Sequence, residues 1–165
     1  MKSPLPIEVR PVRNGRGLVA TRPFARGEII CEIKGTIVTA EQLWNYWKRS
    51  PTLAANCFRY GAHRYLNPAR ELGAFANHSC DPNVGVIKVG RKLYFKSIRT
   101  IDADVELTHD YSTLLGADDI WTMACNCGEP CCRAKVQSFH TLPPALVRRY
   151  IRLGVIPQFI LATRT

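Results

Sequence analysis

The sequence predicts a mainly β fold of the α+β kind, and three observations predict it. Short runs rich in β-branched residues alternate with glycine-containing turns through the opening third, a two-residue hairpin stands in the middle, and helical periodicity is confined to two segments. A chain of 165 residues fits one domain with a short appendage and buries enough apolar surface to fold without a partner.

Strands are expected at Leu18–Thr21, at Glu28–Ile33 after the Arg26-Gly27 turn, and at Thr36–Val38 after Gly35. A helix should follow. Thr39 with Gln42 three residues later makes a capping box, Leu43, Trp44, Tyr46 and Trp47 give an apolar face expected to join the core, and Pro51 stops the helix. Val84–Val89 and Lys92–Ile98 flank Gly90-Arg91 and read as a hairpin. Near the end, Pro143 and Pro144 open a segment in which Leu146, Val147, Tyr150 and Ile151 share one helical face and Arg148, Arg149 and Arg152 another, with Gly154 placed to close it. That segment is expected to dock as a C-terminal helix.

Hydrophobic residues at 46% and charged residues at 22% speak against disorder. No stretch reaches the roughly 18 apolar residues of a membrane span, and MKSPLPIEVRPV has no sustained apolar run of the secretory kind. The expectation is an intracellular protein, cytoplasmic or nuclear, with no membrane partner. The formal charge of +10 attracts anionic partners, but the basic residues are scattered from Arg10 to Arg164 without a long run, so nucleic acid is a secondary expectation.

Seven cysteines, four of them gathered as Cys125, Cys127, Cys131 and Cys132, read as metal ligation in a reducing compartment rather than as a disulfide framework. Cys31 and Cys57 lie among apolar neighbours and are expected to be core thiols.

Three further segments carry polar chemistry. Asn14-Gly15-Arg16-Gly17 precedes a strand, where glycines permit a tight turn or a close backbone approach to a ligand; a phosphate cradle is not supported, because no helix follows. Asn77-His78-Ser79-Cys80-Asp81-Pro82-Asn83 concentrates hydrogen-bonding groups behind the apolar Leu72–Ala76 stretch, and taken alone it reads as a turn with a satisfied histidine. Glu106-Leu107-Thr108-His109-Asp110-Tyr111 closes a strand, and alone it is unremarkable.

Taken in this order, and followed by a Cys-x-Cys-x4-Cys tail, these segments resemble the SET-domain lysine methyltransferases from about Val12 to Arg133. The seven residues NHSCDPN are the most specific match, ELTHDY is strong, and the glycine pair supports them. The resemblance implies a SET domain of small twisted β-sheets (β-clip-like) in which the second and third motifs thread past each other in a pseudoknot. It implies a SET domain over residues 1–120, a post-SET zinc-binding segment over 121–135 and a C-terminal helical extension over 136–165.

The activity implied is methyl transfer from S-adenosyl-L-methionine to the side-chain nitrogen of a protein lysine, in a histone or another basic protein, with cofactor and lysine entering a narrow channel from opposite faces. By matched position, Arg16, Gly17, Asn77 and His78 would hold the cofactor. Tyr111 would be the catalytic tyrosine beside cofactor and amine, and His109 would stand where the family usually has Phe or Tyr and helps set the number of methyl groups. Lysine is expected to lose its proton to solvent, since a dry channel disfavours its charged form. Two further departures are Ile33, where a Tyr-x-Gly tyrosine often stands, and Ala74, where an arginine commonly precedes the Phe.

A tetrahedral structural zinc needs four ligands, and Cys125 and Cys127 leave Cys131 or Cys132 sterically open as the third. The family spacing assigns Cys132, with Cys80 of the second motif as the fourth. A second expectation is a catalytically silent SET-fold module holding an acidic protein or nucleic acid. Asp102, Asp104, Glu106, Asp118 and Asp119 are candidates for an acidic rim that would receive a basic peptide.

Overall fold

The computed structural model describes residues 5–163. Residues 1–4 and 164–165, the outer ends of the first and last expected segments, lie outside it. The chain runs β1 (Ile7–Val12), β2 (Gly15–Ala20), β3 (Ile29–Ile33), β4 (Thr36–Thr39), α1 (Ala40–Arg49), α2 (Pro51–Ala55), β5 (Phe58–Gly61) and β6 (Arg64–Asn67). It continues through β7 (Asn77–His78), β8 (Val84–Val89), β9 (Lys92–Ser97), β10 (Glu106–His109), β11 (Met123–Ala124) and β12 (Lys135–Val136) to α3 (Pro144–Leu153) and α4 (Gln158–Leu161). The strands form small sheets in the orders β1-β2-β10-β7, β3-β9-β8, β4-β6-β5 and β11-β12. This is the mainly β architecture with a C-terminal helix that the sequence predicts.

The β8–β9 hairpin has the expected register, Val89 opposite Lys92, and Gly90 takes the left-handed conformation (φ 57°) that such a two-residue turn requires. β9 ends at Ser97, one residue early, because Ile98 leaves the ladder for a second core. β2 begins at Gly15 rather than Leu18. The strand that lengthens it, β1, was not expected, since Pro11 interrupts its pattern; Pro11 is tolerated because β1 is an edge strand pairing only with β2.

The Thr39–Gln42 capping box forms in both directions, at 3.2 and 2.8 Å. α1 ends at Arg49, with Ser50 out of helical geometry (φ −151°) before Pro51 as expected, and Pro51 then opens the separate α2 as its first residue, where a missing N–H costs nothing. The expectation that the α1 aromatics join the core is corrected: no α1 residue is buried, and Trp44 is 56% exposed. Its apolar face spans the mouth of a channel instead of a sheet, so Leu43 and Trp47 are only half covered.

Two apolar cores result. The larger joins the sheets through residues such as Leu18, Phe24, Ile33, Val86, Phe95 and Leu107. The smaller gathers Ile98, Phe139, Leu142, Tyr150, Val155 and Ile160 beneath α3. Gly85 of β8 is the seam between them, since a Cβ there would run into Val155. Ile151, assigned by periodicity to the docked face of α3, is exposed, while Leu153 packs in. Gly154 closes α3 in the left-handed conformation, as predicted.

Candidate functional site

The three polar motifs meet on one sheet. β10 pairs antiparallel with β2 (Leu107 opposite Leu18) and parallel with β7, with Thr108 opposite Asn77 and His109 opposite His78. Parallel neighbours so far apart in sequence need the intervening hairpin as a crossover, and Asn83 locks them. Its Nδ2 donates to Glu106 O at 2.7 Å, while Oδ1 accepts from Thr108 N–H at 2.9 Å.

Asn77 Nδ2 donates to Arg16 O at 3.1 Å and to Glu106 Oε1 at 2.7 Å. Gly17 lets the strands pack closely at this crossing: a Cβ would run into Glu106 Oε1 and lie 3.0 Å from Asn77 Nδ2, displacing both side chains. The Arg16 guanidinium rests 4.9 Å from the Phe75 ring centroid. The glycine strand and Asn77 thus meet across Glu106 of β10.

Tyr111 follows β10. Its hydroxyl donates to Ala76 O at 2.8 Å, and its ring centroid lies 5.3 Å from that of His78 and 4.7 Å from that of His109. Low-dielectric surroundings, with Glu106 nearby, push the phenol well above its ordinary range. It therefore stays neutral.

His109 is buried, stacked on Phe58 at 5.5 Å, and its Nδ1 has no hydrogen-bond partner among the described residues. Burial pushes its pKa down to about 3, with His78 adding to the shift, so it too is neutral.

His78 spends both ring nitrogens inside the protein. Nδ1 accepts from Tyr111 N–H at 3.2 Å, which leaves the proton on Nε2, 3.4 Å from Cys80 Sγ. Burial lowers its pKa to about 4, against the pull of Asp110. One imidazole thereby ties the cysteine cluster to the backbone of Tyr111.

A narrow channel leads to Tyr111 and His109 between Leu43, Trp47, Tyr65, Asp119 and Trp121. Its wall is braced by Arg59, 2% exposed, whose guanidinium donates to Asp118 at 2.6 and 2.7 Å and to Asp119 at 2.6 Å. Of the five acids considered for a rim, Asp119 lines this channel and Asp118 braces it through Arg59. Asp104 pairs with Arg10, Glu106 holds Asn77, and Asp102 is exposed.

The sulfur atoms of Cys80, Cys125, Cys127 and Cys132 lie within 4.8 Å of one another, with Cys80 and Cys125 3.7 Å apart. Four sulfurs at about 2.3 Å from one ion sit roughly 3.8 Å apart in a tetrahedron, so this donor set fits a closed thiolate site. The Arg133 and Ala134 N–H groups each lie 3.4 Å from a cluster sulfur, Cys80 Sγ and Cys132 Sγ in turn, while burial raises the Cys80 thiol to about 11. Burial opposes ionisation of Cys127, but N–H groups of Cys80 and Glu129 hold its thiol at about 7. Cys131 is exposed and outside the group. Burial raises Cys31 to about 11 and Cys57 to about 12, and the Cys57 thiol is half-buried, donating to Leu53 O at 3.3 Å.

Sequence reasoning missed Ala76, whose carbonyl holds the phenol, and the partners of Asp110: Arg133, Ser112 and Tyr150. A backbone acceptor leaves no residue-type signal. Arg133 was findable only by its place directly after Cys132.

Comparison with known proteins agrees with this geometry. The family model for the SET domain matches residues 15–112. The chain is 31% identical over 126 residues to a histone-lysine N-methyltransferase, H3 lysine-4 specific, of Eremothecium gossypii, covering 71% of this chain and 13% of that protein. It is 32% identical over 126 residues to the protein of the same name from Saccharomyces cerevisiae, covering 71% of this chain and 12% of that one. A SET domain-containing protein of Phaeosphaeria nodorum is 29% identical over 142 residues, covering 81% of this chain and 22% of its own. The chain thus spans only a small part of the relatives it matches. Gly17, Asn77, Glu106 and Tyr111 all fall inside the matched span, and the chain belongs to the SET domain family.

Proposed function

We propose that this protein transfers a methyl group from S-adenosyl-L-methionine to the side-chain nitrogen of a lysine in a protein substrate, a histone tail being the first candidate. The observation that carries this reading is the neutral phenol of Tyr111, anchored on Ala76 O at 2.8 Å and lining, with His109, a channel walled by Trp47 and Trp121. When bound, the cofactor supplies an already activated methyl on sulfur, so the protein's part is alignment, desolvation and electrostatics.

Arg16 and Gly17 would present main-chain groups to the cofactor. The Asn77 side chain would do likewise, and His78 would contribute through its main chain, both of its ring nitrogens being engaged elsewhere. The polar groups suited to such a ligand converge here, Asn77 Nδ2 lying 3.1 Å from Arg16 O beside Gly17. The channel would strip the lysine of water and favour its neutral amine. Neither Tyr111 nor His109 is suited to accept the ammonium proton, the phenol being protonated already and the imidazole too weakly basic, so the proton leaves to solvent. His109 would border the space around the amine. Asp119 would attract the cation to the channel.

The metal in this reading is a structural zinc held by Cys80, Cys125, Cys127 and Cys132, with no open position for substrate. The division into residues 1–120, 121–135 and 136–165 is kept, with the second part closing over the first. Among the described residues no helix is long and apolar enough to cross a membrane.

The test is calorimetry with S-adenosyl-L-methionine followed by methylation of a lysine-peptide array and then of whole proteins. Micromolar cofactor binding and label on lysine are expected. No cofactor binding, together with salt-sensitive binding to an acidic protein or nucleic acid, would replace this reading with that of a silent module.

A further inference from the structure

Asp110, next to Tyr111, is 1% exposed, and its carboxylate is held by three separate parts of the chain. Oδ1 accepts from Arg133 Nη2 at 2.7 Å and from Ser112 N–H at 3.1 Å; Oδ2 accepts from the Tyr150 hydroxyl at 2.9 Å. Arg133 follows the last cysteine of the metal cluster. Tyr150 belongs to α3, beyond the span of the family match, and is fully buried in the second core.

A phenol in an apolar core needs a partner for its O–H, and a buried carboxylate needs donors. Each satisfies the other here, where the C-terminal extension reaches the residue that precedes Tyr111. Without the hydroxyl, Oδ2 has no donor among the described residues, and the carboxylate would turn toward Arg133 or solvent. Asp110 carries its own backbone with it. The next N–H along the chain is that of Tyr111, which donates to His78 Nδ1. A shift there moves the phenol and the imidazole together.

We propose that Tyr150 is a positioning residue for the active centre: through Asp110 it fixes the backbone and ring of Tyr111, making α3 a working part of the site rather than an appendage. The inference rests on the methyl-transfer reading for its kinetic consequence, though not for its structural one.

The test compares Tyr150→Phe, which keeps the ring and removes the hydroxyl, with Val155→Ala, which loosens the same core and leaves the hydroxyl in place. Both are assayed in the full chain well below their melting temperatures. Misplacement of an aligned group by a fraction of an ångström costs rate more than affinity, so kcat of Tyr150→Phe on a lysine peptide should fall about tenfold, with both KM values within about twofold. Amide exchange across residues 110–114 should quicken by about tenfold in the same variant. Val155→Ala should show neither change.

Retained kcat and unchanged exchange in Tyr150→Phe would overturn the proposal, as would equal losses in both variants, which would trace to stability alone. Should the wild type label no lysine substrate, the exchange comparison still decides. Faster exchange confined to Tyr150→Phe would then support the coupling while the methyl-transfer reading fell.

Discussion

The Tyr111 hydroxyl donates to the carbonyl of Ala76 across 2.8 Å, joining the residue that ends the third motif to the residue that precedes the second. The bond fixes the direction of the O–H dipole in the wall of the channel. Tyr111→Phe keeps the ring among His78, His109 and Trp121 and removes only that dipole. Turnover on a lysine peptide should drop on the order of 10²-fold, the usual cost of losing one positioned polar group at a transition state. Thermal melts should overlay those of wild type to within a few degrees, and an unchanged kcat would remove Tyr111 from the mechanism.

The four-sulfur cluster predicts one tightly held zinc per chain. Cys132→Ser should lose the metal and Cys131→Ser should keep it, since Cys131 is exposed and outside the group. Elemental analysis of the purified variants decides this. Chelation should also lower the melting temperature of the whole domain, because Arg133 reaches from the cluster to buried Asp110 at 2.7 Å and metal binding is thereby coupled to folding. Metal retained by Cys132→Ser and lost by Cys131→Ser would reverse the ligand assignment.

Local chemistry made much of this molecule legible. The Thr39 capping box, Gly90 in its hairpin and Gly154 at the end of α3 each pair a residue type with one backbone demand, and all three appear where expected. Spacing pointed to Cys125, Cys127 and a third thiol but left Cys131 open against Cys132; only the family resemblance named Cys132 and Cys80, whose sulfurs lie with the other two within 4.8 Å. Less visible were features settled by tertiary neighbours. β1 was hidden by Pro11, and the strands β5 and β6 lack a clean alternation in FRYG and RYLN. Trp44 and Trp47 have a core-like period, yet Trp44 is exposed and Trp47 lines the channel, since periodicity says which face is apolar but not what covers it. Asp110 drew no attention in the sequence because its importance comes from Arg133 and Tyr150, far along the chain.

The Arg59 brace makes unequal predictions for its two acids. Arg59 is 2% exposed at its side chain, Asp119 13% and Asp118 46%. Arg59→Leu strands the Asp119 carboxylate in a poorly solvated wall and should cost about 3 kcal/mol by urea denaturation, as broken buried pairs do. Asp118→Asn should cost less than about 1 kcal/mol, because water already screens that contact. Asp119→Asn should raise the KM for a lysine peptide several-fold with a smaller effect on kcat, as expected for removal of an attractive charge at the channel. A kcat loss with unchanged KM would place Asp119 in the chemical step instead.

His109 predicts a pH dependence of stability. Its pKa lies near 3 in the folded chain against an ordinary 6.5, so between those values the unfolded chain binds a proton that the folded chain excludes. Folding free energy is therefore fully supported above about pH 6.5 and is lost as the pH falls toward 3. His78, lowered to about 4, acts in the same direction and is retained in a His109→Phe variant. The difference between the two proteins isolates one imidazole, whose full contribution to the slope is about 1.4 kcal/mol per pH unit. Urea unfolding at pH 7, 6 and 5 should show wild type losing stability faster than His109→Phe as acid is added. Any acid-driven loss of the metal is common to both and cancels in the comparison. Parallel slopes would mean that the folded channel admits a charged imidazole at position 109, and the neutral, unpartnered ring proposed to border the amine would have to be abandoned.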